Sequence, residues 1–446
     1  MAEIKNVSTE NIYRLDGRVP ILKAIPFGLQ HILAMFVSNL TPITIIGAAS
    51  GLDNAQIAIL LQNAMFIAGI ATLIQLYPLW RIGSRLPIVM GVSFTFVTIL
   101  SYVGSTYGYE TMVGAVLVGG FVEGTLGLLA KYWKKIITPV VAASVVTAIG
   151  YSLFTVGTRS FGGGYTPEFG SAQNLLLGSI TLVTCLVFNI LAKGYWKQLS
   201  VLAGLVVGYL CAMMMGVIDL SQIFSGGLFS LPHLFPYVPK FNIGAILSVT
   251  IIFIVSAAET IGDTTAMVSG GLNREIELRE ISGSLACDGY ASSLSALFGC
   301  PPVTSFSQNV GLVAMTKVVN RKVILSGGLI LILASFVPAV AEVFNSLPQA
   351  VLGGCTIMMF GNIILSGFQM ISEAGYTQRN ITIAALSLTI GIGFTQVGDI
   401  FVNFPPLFQS IFASNCIAVA FVVAVLLNAL LPSEEHFLSA PQHQED

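Results

Sequence analysis

Three acids carry the chemical information in this chain. Glu259, Asp263 and Asp288 lie inside hydrophobic segments that hold no Lys or Arg at the same depth. Ionised carboxylates are costly in hydrocarbon and are rarely retained there without a function. Acids buried without a fixed cation are suited to handling protons, metal cations or a solute with N–H groups to donate. Glu259 and Asp263 are four residues apart and share one helix face. Two carboxylates so close do not both ionise readily and titrate as a coupled set. That pairing suits one group that accepts N–H bonds from a solute beside another that carries a coupling proton. Gln308 and Asn309 follow a double proline. A carboxamide offers donors and an acceptor, which suits a planar solute with alternating C=O and N–H groups. Asn309 is equally suited to capping a helix. His31 lies within an apolar stretch and is suited either to a proton relay or to a structural role. Phe94, Phe96 and Phe306 can stack on a flat heterocycle, although Phe is also ordinary filling for a membrane core. Glu123, in the run Gly119-Gly120-Phe121-Val122-Glu123-Gly124, is a weaker proton-path candidate on a helix whose glycines imply close packing.

These residues need a membrane scaffold to hold them. Of 446 residues, 55% are hydrophobic and only 9% are charged, against about 25% in soluble domains. The mean hydropathy is +0.86. The fold class is therefore an all-α polytopic membrane protein. The net charge of −2 comes without a basic tract, so no nucleic-acid partner is expected. The six cysteines are scattered, with no CxxC or Cys/His cluster, so neither disulfides nor structural zinc are expected. No catalytic or cofactor motif is present, and the expectation is a transporter, not an enzyme. The Gly162-Gly163-Gly164 run lacks the Lys-Ser/Thr of a phosphate loop and reads as a turn. The polar start through Lys23 does not fit a cleavable signal peptide.

Spans of about 20 apolar residues fall near 25–46, 56–79, 86–102, 112–130, 136–156, 173–191, 198–216, 241–262, 280–299, 303–317, 323–342, 347–370, 380–397 and 412–431. With the N-terminus inside, this fourteen-span reading places every Lys and Arg on the cytoplasmic side except Arg159 and Lys240. That segregation follows the positive-inside rule and puts both termini in the cytoplasm. Seven plus seven spans imply two inverted repeats with a site at the midplane. The third and tenth spans are short and broken. They read Leu86-Pro87-Ile88-Val89-Met90-Gly91-Val92-Ser93-Phe94-Thr95-Phe96 and Gly299-Cys300-Pro301-Pro302-Val303-Thr304-Ser305-Phe306-Ser307-Gln308-Asn309. Both show the period-2 alternation of an extended strand. Extended backbone at membrane depth is tolerated only inside protein or along a site. Such pieces are placed to pair with each other and to aim half-helix N-termini at a substrate.

The stretch Gln308-Asn309-Val310-Gly311-Leu312-Val313-Ala314-Met315-Thr316-Lys317 resembles the signature of the nucleobase–ascorbate transporters (nucleobase:cation symporter family 2), among them the bacterial xanthine/uric acid permeases. Glu259-Thr260-Ile261-Gly262-Asp263, Ala286-Cys287-Asp288-Gly289 and Gln30-His31 resemble further motifs of that family in the same order. The resemblance implies fourteen segments in two inverted repeats. A core domain would hold segments 1–4 (25–135) and 8–11 (241–345), and a gate domain segments 5–7 (136–240) and 12–14 (346–432). Cytoplasmic tails would occupy 1–24 and 433–446. It implies a homodimer in the bacterial inner membrane, working by an elevator-like motion with H+ as the coupling ion and no cofactor. Glu259 and Gln308 match the family's substrate ligands, with the backbone around Ser93 and Phe94 closing the site; Phe306 and Asn309 join the candidate ligands on their chemistry alone. Asp263, Asp288 and His31 match positions tied to coupling and site organisation. Ser93 stands where xanthine-selective relatives often carry Asn, which leaves room for the extra oxo group of urate. The expected substrate is therefore an oxidised purine, xanthine and/or uric acid, ahead of uracil. The residues alone leave sodium open, since Asp263, Thr264 and Thr265 could supply oxygens. An anion transporter of similar architecture would want a cation at the midplane, where this chain has acids.

Overall fold

The computed structural model describes residues 9–133, 136–218, 227–413 and 415–432. Residues 1–8, Lys134, Lys135, residues 219–226, Ser414 and the tail 433–446 lie outside the described residues. The chain is almost entirely helical, with one two-stranded sheet. Helix α1 runs Ile21–Ala49 and α2 runs Asn54–Leu76. Asp53 starts α2 with a capping box, its carboxylate accepting from Gln56 N at 2.8 Å while the Gln56 amide oxygen accepts from Asp53 N at 2.9 Å. Strand β1 (Met90–Val92) leads through one 3-10 turn into α3 (Val97–Tyr107), followed by α4 (Tyr109–Leu128). Then come α5 (Pro139–Ser152), α6 (Phe154–Phe161), α7 (Ala172–Leu191) and α8 (Ser200–Met214). Helix α9 (Ile243–Ala266) runs on into a π-turn at Met267–Gly271, and α10 spans Leu278–Leu297. Strand β2 (Val303–Ser305) leads into α11 (Ser307–Thr316). The remainder is α12 (Arg321–Ser335), α13 (Pro338–Asn345), α14 (Gln349–Ala374), α15 (Gln378–Gln396), α16 (Pro406–Phe412) and α17 (Cys416–Leu430).

Among the described residues seven helical stretches are long and apolar enough to cross a bilayer, or eight if α12 and α13 count as one broken span. The spans read at 86–102 and 303–317 are strand-plus-helix pieces, as their alternation implied. The span read as continuous over 323–342 is not continuous. It bends by 82° between α12 and α13. Pro338 at the start of α13 removes a backbone donor, and Val337 before it is extended (φ −107°, ψ 98°), as proline requires of its predecessor.

The chain divides into two compact units. One comprises Met1–Lys131 and Leu153–Phe360, the other Tyr132–Ser152 and Gly361–Asp446. In the first unit α4 packs along α10 and α9, and α12 along α1 and α2. The α4–α10 crossing is glycine-lined. A Cβ on Gly289 would stand 2.0 Å from Gly124 N, and one on Gly120 would stand 2.7 Å from Gly289 O. Helix α7 is apolar yet mostly exposed, which fits a face turned to lipid tails. The second unit packs α5 with α15 and α17 around Val141, Ile383 and Ala424. Arg379 ties its end by donating to Asn428 O at 2.6 Å.

Candidate functional site

The site is organised by the short sheet. β1 and β2 pair antiparallel in the register Met90 with Ser305, Gly91 with Thr304 and Val92 with Val303. The pairing is extended at both ends, by Ser93 N donating to Pro302 O and Phe306 N to Val89 O, each at 3.0 Å. Donors that face away from the partner strand are met by side chains. Met90 N reaches Thr72 Oγ1 at 2.9 Å and Val92 N reaches Asn39 Oδ1 at 2.8 Å. The Ser292 hydroxyl donates to Val303 O at 3.0 Å and accepts from Val303 N at 3.1 Å. This is how buried extended backbone is kept without orphan groups. Gly91 is required by space: a Cβ there would lie 2.6 Å from Met35 Cε and 2.8 Å from Phe306 Cδ2.

The two strands hold the acids. Thr95, one turn after β1, donates its hydroxyl to Glu259 Oε2 at 2.6 Å, across 164 positions of sequence. Its own N–H is held by Ser93 Oγ at 3.3 Å. Asp263, one turn along α9, accepts from Ser305 Oγ at 3.0 Å and Ser307 Oγ at 2.9 Å. Asp288 is fully buried on α10. Its Oδ2 accepts from Thr260 Oγ1 at 2.5 Å and from Ser305 N at 3.3 Å, while Oδ1 meets no donor. Ser305 thus bonds Asp263 with its side chain and Asp288 with its backbone, so one residue of β2 links two of the three acids. The ion pairs of the described residues, Lys240 with Glu110, Arg274 with Glu280 and Arg321 with Asp16, involve none of them.

The carboxamides divide. Gln308, on the first turn of α11, is half-buried and its Oε1 meets no donor. Asn309 turns away from the helix start. Its Nδ2 donates to His31 O at 3.1 Å and lies 3.2 Å from His31 Nδ1. Capping, one sequence reading of Asn309, is not what it does: α11 begins after Phe306 without a side-chain cap. With the amide donating, His31 Nδ1 is the acceptor and the neutral ring carries its proton on Nε2. His31 is itself buried. The aromatics also divide. Phe96 is fully buried against Phe253 with centroids 4.5 Å apart. Phe94 and Phe306 keep a small exposed area, and Phe94 stands edge-on to Phe360 at 5.3 Å. Thr264 and Thr265, possible sodium oxygens by sequence, donate to Thr260 O at 2.6 Å and Ile261 O at 2.7 Å. Thr95, Thr260, Ser305, Ser307, Asn39 and Thr72 were not singled out from sequence. Nothing local marks them, since their importance comes from partners far along the chain.

The arrangement presents one carboxylate with a free oxygen position at Glu259 and one free amide oxygen at Gln308. One follows β1 through Thr95 and the other follows β2 directly, and carboxylate and amide oxygens of this kind are acceptors for N–H groups.

Three kinds of likeness bear on this geometry. A family model described as Permease family (Xan_ur_permease) matches residues 22–400. The xanthine permease XanQ of Escherichia coli (strain K12) is 32% identical over 97% of this chain and 96% of its own length. The uric acid permease PucK of Bacillus subtilis (strain 168) is 34% identical over 93% of this chain and 96% of its own. Among solved structures, the transmembrane domain of a cyanobacterial bicarbonate transporter, BicA, superposes with a TM-score of 0.55 at 14% identity, covering 92% of this chain and 97% of that one. SLC26A9 superposes with a TM-score of 0.63 at 11% identity, covering 92% of this chain and 66% of that one. At such identities these two show a shared fold and no more.

Proposed function

The chain belongs to this permease family, and from that premise we propose that it is a proton-coupled symporter importing an oxidised purine, xanthine and/or uric acid. Two observations support it: Glu259 is oriented by the Thr95 hydroxyl just after β1, and the Gln308 amide oxygen just after β2 meets no donor. Xanthine and urate are flat and present several N–H groups beside C=O groups. A carboxylate and an amide oxygen accept the N–H groups, the backbone near Ser93 meets the C=O edge, Phe94 and Phe306 flank the ring, and Asn309 supports the site through His31. The names of the relatives XanQ and PucK support that substrate class. Uracil or another nucleobase is the second reading. A substrate anion of the bicarbonate type is disfavoured by the three acids and by the lack of any Lys or Arg paired with them.

In this reading Asp263, Asp288 and His31 serve coupling and organisation. The carrier has fourteen segments in two inverted repeats, a core domain (25–135 and 241–345) that moves past a gate domain (136–240 and 346–432), and both termini in the cytoplasm. It works as a homodimer in the bacterial inner membrane, with H+ and no cofactor. The test is uptake of radiolabelled xanthine by cells expressing the chain, with unlabelled urate, uracil, guanine or hypoxanthine as competitors and with or without a protonophore. Uptake competed by urate and lost with the protonophore is expected. Uptake that ignores the protonophore, or is competed only by uracil, overturns the coupling or the substrate half of the reading.

A further inference from the structure

Glu123 is a buried carboxyl that the site described above does not use. It is 1% exposed, and neither of its oxygens meets a hydrogen-bond donor. Its position follows from the glycines around it. Gly120, Gly124 and Gly127 are the face of α4 that rides on α10; a Cβ on Gly127 would stand 2.5 Å from Ala286 N, and Gly120 and Gly124 meet Gly289. Gly119, one turn before Glu123 on the same side, admits Phe253 of α9, which a Cβ would approach to 2.4 Å. Glu123 therefore enters the wedge between α9 and α10. Three more buried polar atoms without a donor or acceptor partner belong to these two helices, Thr250 Oγ1 and Ser256 Oγ on α9 and Asp288 Oδ1 on α10. Ser256 is one turn from Phe253 and one turn from Thr260, whose hydroxyl holds the other oxygen of Asp288.

Four residues with such atoms on three packed helices are unusual, because buried polar atoms are almost always paired. Packing does not explain the acid, since the glycines already supply the close approach and an apolar residue would fill the wedge at less cost. A proton of its own removes the charge of such a carboxyl and leaves it an O–H to give away. We propose that Glu123 is a proton-carrying acid of the coupling machinery, which holds a proton behind the substrate site and exchanges it with the free oxygen of Asp288. The step is balanced: the O–H bond on Glu123 breaks as one forms on Asp288 Oδ1, the charge moves from one carboxylate to the other, and no other reactant takes part. The titratable residues of the helices packed on α4, apart from Arg279, are Tyr102 and Tyr107 on α3, Glu259 and Asp263 on α9, and Glu280, Cys287, Asp288 and Tyr290 on α10. Among α3, α4, α9 and α10 the only Lys or Arg is Arg279, in the first turn of α10. This inference rests on the proton-coupled reading given above.

The experiment uses the full chain in proteoliposomes and reads two quantities, uphill accumulation of labelled xanthine driven by a proton gradient and xanthine counterflow without one. In Glu123→Gln, accumulation should fall about tenfold or more and lose its dependence on external pH, while counterflow stays within about twofold of wild type. Glu123→Asp should restore accumulation with a shifted pH profile. Wild-type accumulation and pH profile in Glu123→Gln overturns the inference. Parallel loss of both activities in a variant that inserts and melts like wild type also overturns it, because the acid then serves binding or exchange. Should Glu123→Gln not reach the membrane, Glu123→Asp decides alone: a moved pH profile supports the inference and an unmoved one overturns it. A wild-type chain with counterflow but no proton-driven accumulation sinks the coupling reading itself, a failure visible before any variant is made.

Discussion

Replacing Glu259 by Gln tests the site at its most exposed assumption. The substitution keeps shape and removes charge. In the wild type one carboxylate oxygen, Oε2, accepts from Thr95 at 2.6 Å, and the other remains for a substrate N–H. Gln has a single acceptor oxygen. If it stays with Thr95, its NH2 group faces the substrate N–H, donor against donor. If it turns to the substrate, the Thr95 hydroxyl, only 2% exposed, loses its acceptor. Either way one hydrogen bond to a charged group disappears. Such bonds contribute about 1.5–3 kcal/mol, and each 1.4 kcal/mol is a factor of ten. The dissociation constant for xanthine should therefore rise between about tenfold and a hundredfold. Purified protein titrated by isothermal calorimetry or scintillation proximity gives the number directly, and its melting temperature shows whether the fold is intact. Binding within about twofold of wild type, in a protein that melts normally, would refute Glu259 as a ligand.

Other perturbations separate the scaffold from the site. Ser93→Asn should lower urate uptake relative to xanthine in a competition assay, because the longer side chain occupies room beside the ring; an unchanged ratio removes Ser93 from the selectivity argument. Gly289→Ala would place a Cβ 2.0 Å from Gly124 N and should destabilise the α4–α10 crossing by about 1–3 kcal/mol or more, read as a lower melting temperature in detergent. Asn39→Ala leaves the N–H of Val92 without its acceptor at 2.8 Å and should cost about 1–3 kcal/mol. A melting curve that does not move would mean the strand pair is held some other way.

The broken segments could be read from sequence because the alternation in Met90-Gly91-Val92 and Val303-Thr304-Ser305 is local, and prolines flank both runs. Their pairing followed from the cost of unpaired backbone in hydrocarbon. The acids could be read for the same reason, since hydrocarbon makes each one conspicuous. What holds them was not legible. Thr95 and Glu259 are separated by 164 positions, and Asn309 and His31 by 278; a single Thr or Asn gives no sign of such a partner. The role of Asn309 shows the limit well. Its place after the double proline suits a cap or a ligand equally, and only the fold turns its amide toward α1. The bend at Val337-Pro338 was marked in the sequence, but hydropathy averaged over a span conceals a break that one proline makes.

The strand pair also sets an order of events in the making of the protein. Met90–Val92 come from the first part of the chain, and their partners are supplied by Val303–Ser305 in the second. Until the later segment has been synthesised and inserted, the ladder groups of the earlier one have no protein partner, and lipid offers none. The first part of the chain thus reaches the membrane unable to finish its own centre. Completion waits for the second part, which brings the strand on which two of the acids depend.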